Sequence, residues 1–164
     1  MSIDACAYLY SPLGMLELRG TEAGLSAVRF LDHAAAAPTR PAAVPAALRE
    51  AHRQLGAYFG RELRTFALNY AVTQGTEFQR RVWAALPAVG FGRTASYLDV
   101  ARQLGDPKAV RAVGAANGQN PLAIVWPCHR IIGADGQLTG YAGGLLRKRW
   151  LLAFEQPVAQ GELF

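Results

Sequence analysis

Cysteine is nearly absent from this sequence: Cys6 and Cys128 are the only two among 164 residues. Two thiols so far apart make no disulfide framework, and neither belongs to a CxxC pair. Histidine is almost as scarce. Cys6, Cys128, His33, His52 and His129 are the soft ligands available, and none stands in CxxC or HxxxH spacing, so no structural zinc or other metal is expected. Long apolar runs are missing too; nothing approaches the roughly 18 residues that a membrane-spanning helix needs. The first residues carry no signal-peptide pattern. These absences lead to the expectation of a soluble, cytoplasmic protein with no membrane partner.

What is present is a hydrophobic content of 51%, enough for one ordinary core or two small ones. The formal charge is +5 and the pI about 9.6, which favours an anionic partner. The charge is uneven: residues 1–75 carry 7 basic and 6 acidic side chains, residues 76–164 carry 10 and 6. A polyanion-binding face is therefore expected in the second part.

Residues 1–75 read as a small α/β domain with a linker. "CAYLYSPLGMLELRG" alternates as two strands joined at Pro12-Leu13-Gly14, and "GLSAVRFL" offers a third. "HAAAAPTRPAAVP" is a low-complexity connection. "AALREAHRQLGAYF" places Leu48, Leu55 and Phe59 on one helical face, and "TFALNY" predicts one more strand. Neither His33 nor His52 has the neighbours of a ligand; both read as surface or internally bonded histidines.

Residues 76–164 read as a second domain. Thr76 and Gln79 stand at capping-box spacing, predicting a helix with Phe78, Val82 and Leu86 inward and Pro87 at its end. "SYLDVARQLG" predicts a second helix from Ser96 to Gly105, and "KAVRAVGAAN" a third, which together trace a helix-turn-helix. "GLLRKRWLLAFE" predicts a last helix with Leu146, Trp150 and Phe154 inward. The third helix has short side chains apart from Arg111: Ala109, Ala112, Gly114, Ala115 and Ala116. Reading bases in the major groove takes long polar side chains, and this helix has few. Two readings stand on the helix alone: tight helix packing, or close approach to a groove with one Arg to insert.

Cys128, in "IVWPCHRII", also has open readings. A lone cysteine usually fills space. As a nucleophile it needs a route to thiolate, because a free thiol with a pKa of about 8.5 is mostly protonated at neutral pH. His129 is adjacent, and Glu155 closes the last helix, so a Cys–His–Glu relay is available, with a water bridging side chains that adjacency keeps from converging. "NGQNP" is a tight turn with Asn117 and Asn120 as braces. "GADGQLTGYAGG" is a glycine-rich loop with a turn at Asp135-Gly136 and Tyr141 as a wall.

Taken together, "GTEFQRRVWAAL", "GRTASYLDVARQLGDPKAVRAVGAANGQNP", "PCHRII" and "GQLTGYAGGLLRKRWLLAFE" resemble the O6-alkylguanine-DNA alkyltransferases, also called methylated-DNA–protein-cysteine methyltransferases. The resemblance runs almost unbroken over residues 76–155. It implies a ribonuclease H-like α/β N-terminal domain and a mainly helical, winged-helix-like C-terminal domain. It also implies an enzyme without cofactor that takes an alkyl group from guanine O6, or less readily thymine O4, onto Cys128 once and irreversibly. His129 would pass the thiol proton through water, Glu155 would hold His129, and Asn120 would organise the turn beneath. Tyr97 would rotate the target phosphate, and Arg111 would fill the gap left by the extruded base, with Ala112, Gly114 and Arg130 also at the DNA. Asn117, Trp126, Ile131, Tyr141 and Ala142 are expected in the base and alkyl pocket. The implied partner is duplex DNA carrying alkylated bases, bound through the minor groove without sequence specificity by a monomer.

Two positions depart from the family pattern: Trp126 stands where an aliphatic residue is expected, and Phe154 where the last helix usually has His before Glu. Two other classes compete. A Cys–His hydrolase shares the nucleophile but gives no reason for a basic helix-turn-helix. A lesion-recognition module would bind damage without removing it, and such proteins replace the reactive cysteine.

Overall fold

Alternation in the first thirty residues becomes an antiparallel meander, β1 (Ala5–Ser11), β2 (Gly14–Thr21) and β3 (Gly24–Phe30), in that spatial order. The computed structural model describes residues 3–32 and 37–157; His33 lies outside them. Ser11 pairs with Gly14 across the first turn, and the Ser11 hydroxyl both accepts from Leu13 N and donates to Gly14 O. Ala7, Leu16, Leu18, Leu25 and Val28 point to one buried face. Helix α1 (Arg49–Phe59) covers it with Ala51, Leu55 and Tyr58, preceded by Leu48. Tyr58 takes the inward place expected of Phe59, which is half-buried.

The strand expected at 65–70 reduces to a single bridge, Leu25 with Tyr70. The reason is a side chain. The buried Gln54 amide donates to Ala67 O at 3.0 Å and accepts from Ala67 N at 2.9 Å, taking the groups a sheet neighbour would need. Gly24, at φ 145, lets this segment come close; a Cβ there would sit 2.5 Å from Asn69 O.

The chain divides into two compact units: the residues up to Gly75 with Pro121–Val125, and Thr76–Asn120 with the chain from Trp126 onward. Within the first unit, Val28 N donates to Pro121 O at 2.9 Å and Ala123 N to Val28 O at 3.2 Å, with Leu122 fully buried. Ile124 has φ 71, and Val125 N closes back on Ala123 O at 2.8 Å, a γ-turn geometry that β-branched residues seldom adopt.

In the second unit, α2 (Glu77–Ala85) starts at the expected capping box, with Gln79 N on Thr76 Oγ1 and Thr76 N on Gln79 Oε1. Its buried side is Val82, Trp83 and then Leu86, while Phe78 is half-buried. Helix α3 (Tyr97–Gln103) is capped by Ser96 with Asp99 answering, and Gly105 at φ 79 turns the chain after it. Helix α4 (Val110–Gly118) completes the helix-turn-helix and packs on α2 and α3 through Val113 and Ala116. The Trp83 indole N–H donates to Ala116 O at 2.8 Å, satisfying a carbonyl near the α4 C-terminus. Strands β4 (Ala95–Ser96) and β5 (Ile131–Ile132) form a short parallel ribbon.

Helix α5 (Leu145–Phe154) corrects the expected register. Leu146 is 80% exposed and Trp150 half-buried; the inward positions are Lys148, Leu151, Phe154 and the following Glu155. Trp150 stacks on Phe154 with ring centroids 4.8 Å apart. The apolar pattern misled because this helix turns two charged side chains inward, and both have partners there.

Candidate active site

Proline delivers the cysteine. Pro127 at φ −79 and ψ 64 closes an inverse γ-turn in which Cys128 N donates to Trp126 O at 2.7 Å. Asn120 Nδ2 donates to the same carbonyl at 2.7 Å, so the brace expected of Asn120 acts on the backbone just before the thiol. A short 3₁₀ turn over Cys128–Arg130 follows, and Asn117 Nδ2 donates to Cys128 O at 3.2 Å. Cys128 is only 4% exposed.

The next two residues converge on one carboxylate. His129 Nε2 lies 2.9 Å from Glu155 Oε2, with both side chains buried. A carboxylate accepts, so Nε2 carries the proton and Nδ1 keeps its lone pair. That Nδ1 is buried without a hydrogen-bond partner among the described residues, as is Asn117 Oδ1. Arg130 forks onto the same carboxylate, Nε to Oε1 at 2.8 Å and a terminal nitrogen to Oε2 at 2.9 Å. Its other terminal nitrogen donates to Val89 O at 2.8 Å. Arg130 is 5% exposed and therefore not at a DNA-facing surface; the bidentate pair holds it inside, correcting its expected role.

Charge follows from these contacts. Burial pushes the Cys128 thiol up to about 11, against smaller opposing pulls from the Asn120 amide and the Lys148 charge. The resting thiol is therefore protonated at neutral pH and needs a base. Burial holds His129 below the ordinary histidine value; Glu155 works against that shift, and the positive charges of Arg130 and Lys148 add to it. The imidazole is neutral and ready to accept. Burial alone would raise the Glu155 carboxyl, but hydrogen bonds from His129 and Arg130 outweigh it and hold it at about 2.

A cavity of about 430 Å³ opens between α4, the start of α3 and the glycine-rich loop. Val110, Gly114 and Gly118 line it at helical i, i+4, i+8 spacing, with Tyr97 and the loop residues Thr139, Gly140, Tyr141 and Ala142. Burial drives the Tyr141 hydroxyl well above its usual value, and negative charge on Cys128 would add to the shift. Of the residues expected in the pocket, Tyr141 and Ala142 are among the lining of this cavity. Gly114 also lines this cavity, and a Cβ there would meet the Tyr97 ring at 3.8 Å. Arg111 and Ala112 are exposed on the outer side of α4.

Three expected pocket residues are not among the cavity lining. Trp126 stacks on Trp83 with centroids 6.0 Å apart and planes 26° from parallel, which places the indole in packing. Asn117 is buried beneath Cys128, and Ile131 is fully buried in β5. Val110, Gly118, Thr139 and Lys148 were not anticipated. The signal for the first two was their i, i+4 relation to Gly114; for Lys148 it was its i+3 and i+7 relation to Leu151 and Glu155. Among the described residues, no three His, Cys, Asp or Glu side chains group in a way that could hold a metal ion.

Comparison with known proteins covers both units. The family described as "6-O-methylguanine DNA methyltransferase, DNA binding domain" matches residues 77–157, and the "6-O-methylguanine DNA methyltransferase, ribonuclease-like domain" matches residues 5–71. A Methylated-DNA–protein-cysteine methyltransferase of Mycolicibacterium paratuberculosis is 51% identical over 148 residues, covering 89% of this chain and 88% of the relative. One from Methanosarcina acetivorans is 47% identical over 156 residues, covering 91% and 96%. Among solved structures, Mycobacterium tuberculosis OGT in complex with DNA superposes with a TM-score of 0.80 at 47% identity, covering 92% of each chain. A Mycobacterium tuberculosis O6-methylguanine methyltransferase gives 0.81 at 41% identity, covering 99% and 100%.

Proposed function

The chain belongs to the 6-O-methylguanine-DNA methyltransferase family, and from that premise we infer that it repairs DNA by direct reversal, moving the alkyl group of O6-alkylguanine onto its own Cys128. The transfer is stoichiometric and irreversible. Its partner is DNA, and O4-alkylthymine is a poorer substrate.

One observation carries the mechanism: a buried Glu155–His129 pair that leaves Nδ1 as a lone-pair acceptor on the residue next to a buried, protonated thiol. Nδ1 takes the Cys128 proton through a bridging water. The thiolate attacks the alkyl carbon in line with guanine O6. The S–C bond forms as the C–O bond breaks, the electron pair passes to the purine, and the purine takes up a proton as guanine. The thioether has no route back to thiol, so the site needs no hydrolytic machinery. Glu155 supports the imidazolium during the transfer, while Arg130 keeps Glu155 ionised and fixed.

Guanine O6 is hidden in a stacked duplex, so the base must leave the helix, at a cost of a few kcal/mol that is smallest for a weakly paired lesion. The cavity beside Tyr141 receives it. Tyr97 turns the target phosphate, and Arg111 occupies the vacated stack. The short side chains of α4 suit the minor groove and carry no base-reading code, so binding is tolerant of sequence. The protein acts as a monomer in the cytoplasm.

The test is stoichiometry. With excess duplex containing O6-methylguanine, one equivalent of lesion per protein is consumed and then nothing more. Continued turnover, or release of products from an ester or amide, would favour a Cys–His hydrolase instead.

A further inference from the structure

Asn117 stands in the last turn of α4 and is only 3% exposed. Asparagine is a poor helix former, and an apolar residue of its size would pack with Val113 and Ala116 without burying polar atoms. One end of its amide is accounted for. Nδ2 donates to Cys128 O at 3.2 Å, and because a carbonyl only accepts, that contact fixes which end of the amide faces it. Oδ1 is left buried with no donor among the described residues.

His129 Nδ1 shares this condition: it too is a buried acceptor without a donor among the described residues, its lone pair fixed by the Nε2 contact to Glu155. Both side chains adjoin one peptide group. Asn117 holds the Cys128 carbonyl, and the nitrogen of that same peptide belongs to His129. Two acceptors cannot serve each other. A water molecule can serve both, since it has two hydrogens to give, and its lone pairs then remain for the Cys128 S–H. Two to four polar partners are what a buried water ordinarily has, and these make three.

We propose that Asn117 is a positioning residue for proton transfer, its Oδ1 and His129 Nδ1 together holding the water through which Cys128 is deprotonated. Sγ gives its proton to the water oxygen as the water gives one of its own hydrogens to Nδ1. A proton thus passes from thiol to imidazole, and the water is unchanged. The hydrogen held by Oδ1 is not transferred; it turns the water so that a lone pair faces Sγ. Asn117 acts through the water, and its role rests on the functional reading above, in which Cys128 must lose a proton to react.

The experiment is single-turnover transfer from a duplex carrying O6-methylguanine, with the saturating rate measured from about pH 7 to about pH 9.5. The proteins are the unsubstituted chain, Asn117→Leu and Asn117→Asp. Asn117→Leu has neither end of the amide and is expected to be roughly tenfold slower or more at neutral pH. The deficit should shrink as pH rises toward the thiol's own value of about 11, where hydroxide removes the proton and the water's orientation matters less. Asn117→Asp keeps an acceptor and gives up the amide donor, so at neutral pH it should be faster than Asn117→Leu. If Asn117 only braced the Cys128 carbonyl, the loss would be the same at every pH and as large in Asn117→Asp. Either of those results, or a neutral rate for Asn117→Leu within twofold of the unsubstituted protein, would overturn the proposal. A duplex carrying O6-methylhypoxanthine, which lacks the 2-amino group, should show the same loss in Asn117→Leu; a loss confined to the guanine substrate would make Oδ1 a base contact and overturn it too. If Asn117→Leu does not fold, Asn117→Met, unbranched and of similar reach, stands in under the same criteria. An unsubstituted protein that transfers nothing would instead overturn the functional reading, and the role of Asn117 with it.

Discussion

Replacing Arg130 with Met separates two accounts of that residue. Arg130 is 5% exposed, makes two hydrogen bonds to Glu155 at 2.8 and 2.9 Å and a third to Val89 O at 2.8 Å. Arg130→Met leaves Glu155 buried with His129 as its remaining side-chain donor in the triad. Breaking a buried pair from one side costs about 3–5 kcal/mol. For a chain of this size each kcal/mol moves Tm by about 2–4 °C, so Tm should fall by roughly 6–20 °C. The loss should also raise the Glu155 carboxyl, since Arg130 is one of the two donors holding it at about 2. Adding Glu155→Gln to Arg130→Met removes the stranded charge, so the double variant should lose less than the sum of the singles. The assay is thermal unfolding followed by circular dichroism, paired with duplex binding at two salt concentrations. Had Arg130 contacted phosphate, the substitution would leave Tm nearly unchanged and reduce the salt slope of binding by about one. That outcome would refute the buried-pair reading.

Acidification should act on stability and rate in the same direction. Glu155 lies at about 2 against an ordinary 4.5, so its contribution is complete above 4.5 and drains as pH falls toward 2; His129 lies below 6.5, so its share is complete above 6.5 and falls below it. Tm and transfer rate measured from neutral pH downward should both decline below 6.5, and a rate that rises on acidification would contradict a neutral His129 base. Arg111→Ala should weaken repair of duplex DNA more than transfer from the free O6-methylguanine base, which needs no extrusion; equal losses would contradict insertion into the stack. Trp126→Leu should cost at least the ~0.5–1.5 kcal/mol of a stacked aromatic pair while leaving transfer from methylated duplex within about twofold. A tenfold rate change at unchanged Tm would return Trp126 to the pocket.

Local chemistry made most of the second unit legible in the sequence. The capping box at Thr76, the helix start at Ser96, the glycine stop at Gly105 and the Asn120 brace each act within a few residues, and each appears in the structure. What the sequence hid depends on distant partners. Arg130 looks like a surface cation until Glu155, 25 positions away, arrives beside it. Lys148 looks like the polar face of α5, which made Leu146 the inward choice, until the carbonyls of Ile131 and Thr139 supply acceptors for a buried amine. The expected strand at 65–70 was lost to the Gln54 side chain, which no periodicity reports. The resemblance alone puts Trp126 at the pocket, whereas the γ-turn at Pro127 reverses the chain and leaves the indole against Trp83.

Repair by direct reversal requires that Cys128, and not the other thiol, accept the alkyl group. Incubation with a duplex carrying O6-methylguanine, followed by intact mass and peptide mapping, tests it directly. A gain of one methyl group per chain is expected, located on the peptide containing Cys128 and absent in Cys128→Ala, with Cys6 unmodified. Tight lesion binding with no gain in mass, or a methyl group found on Cys6, would contradict it.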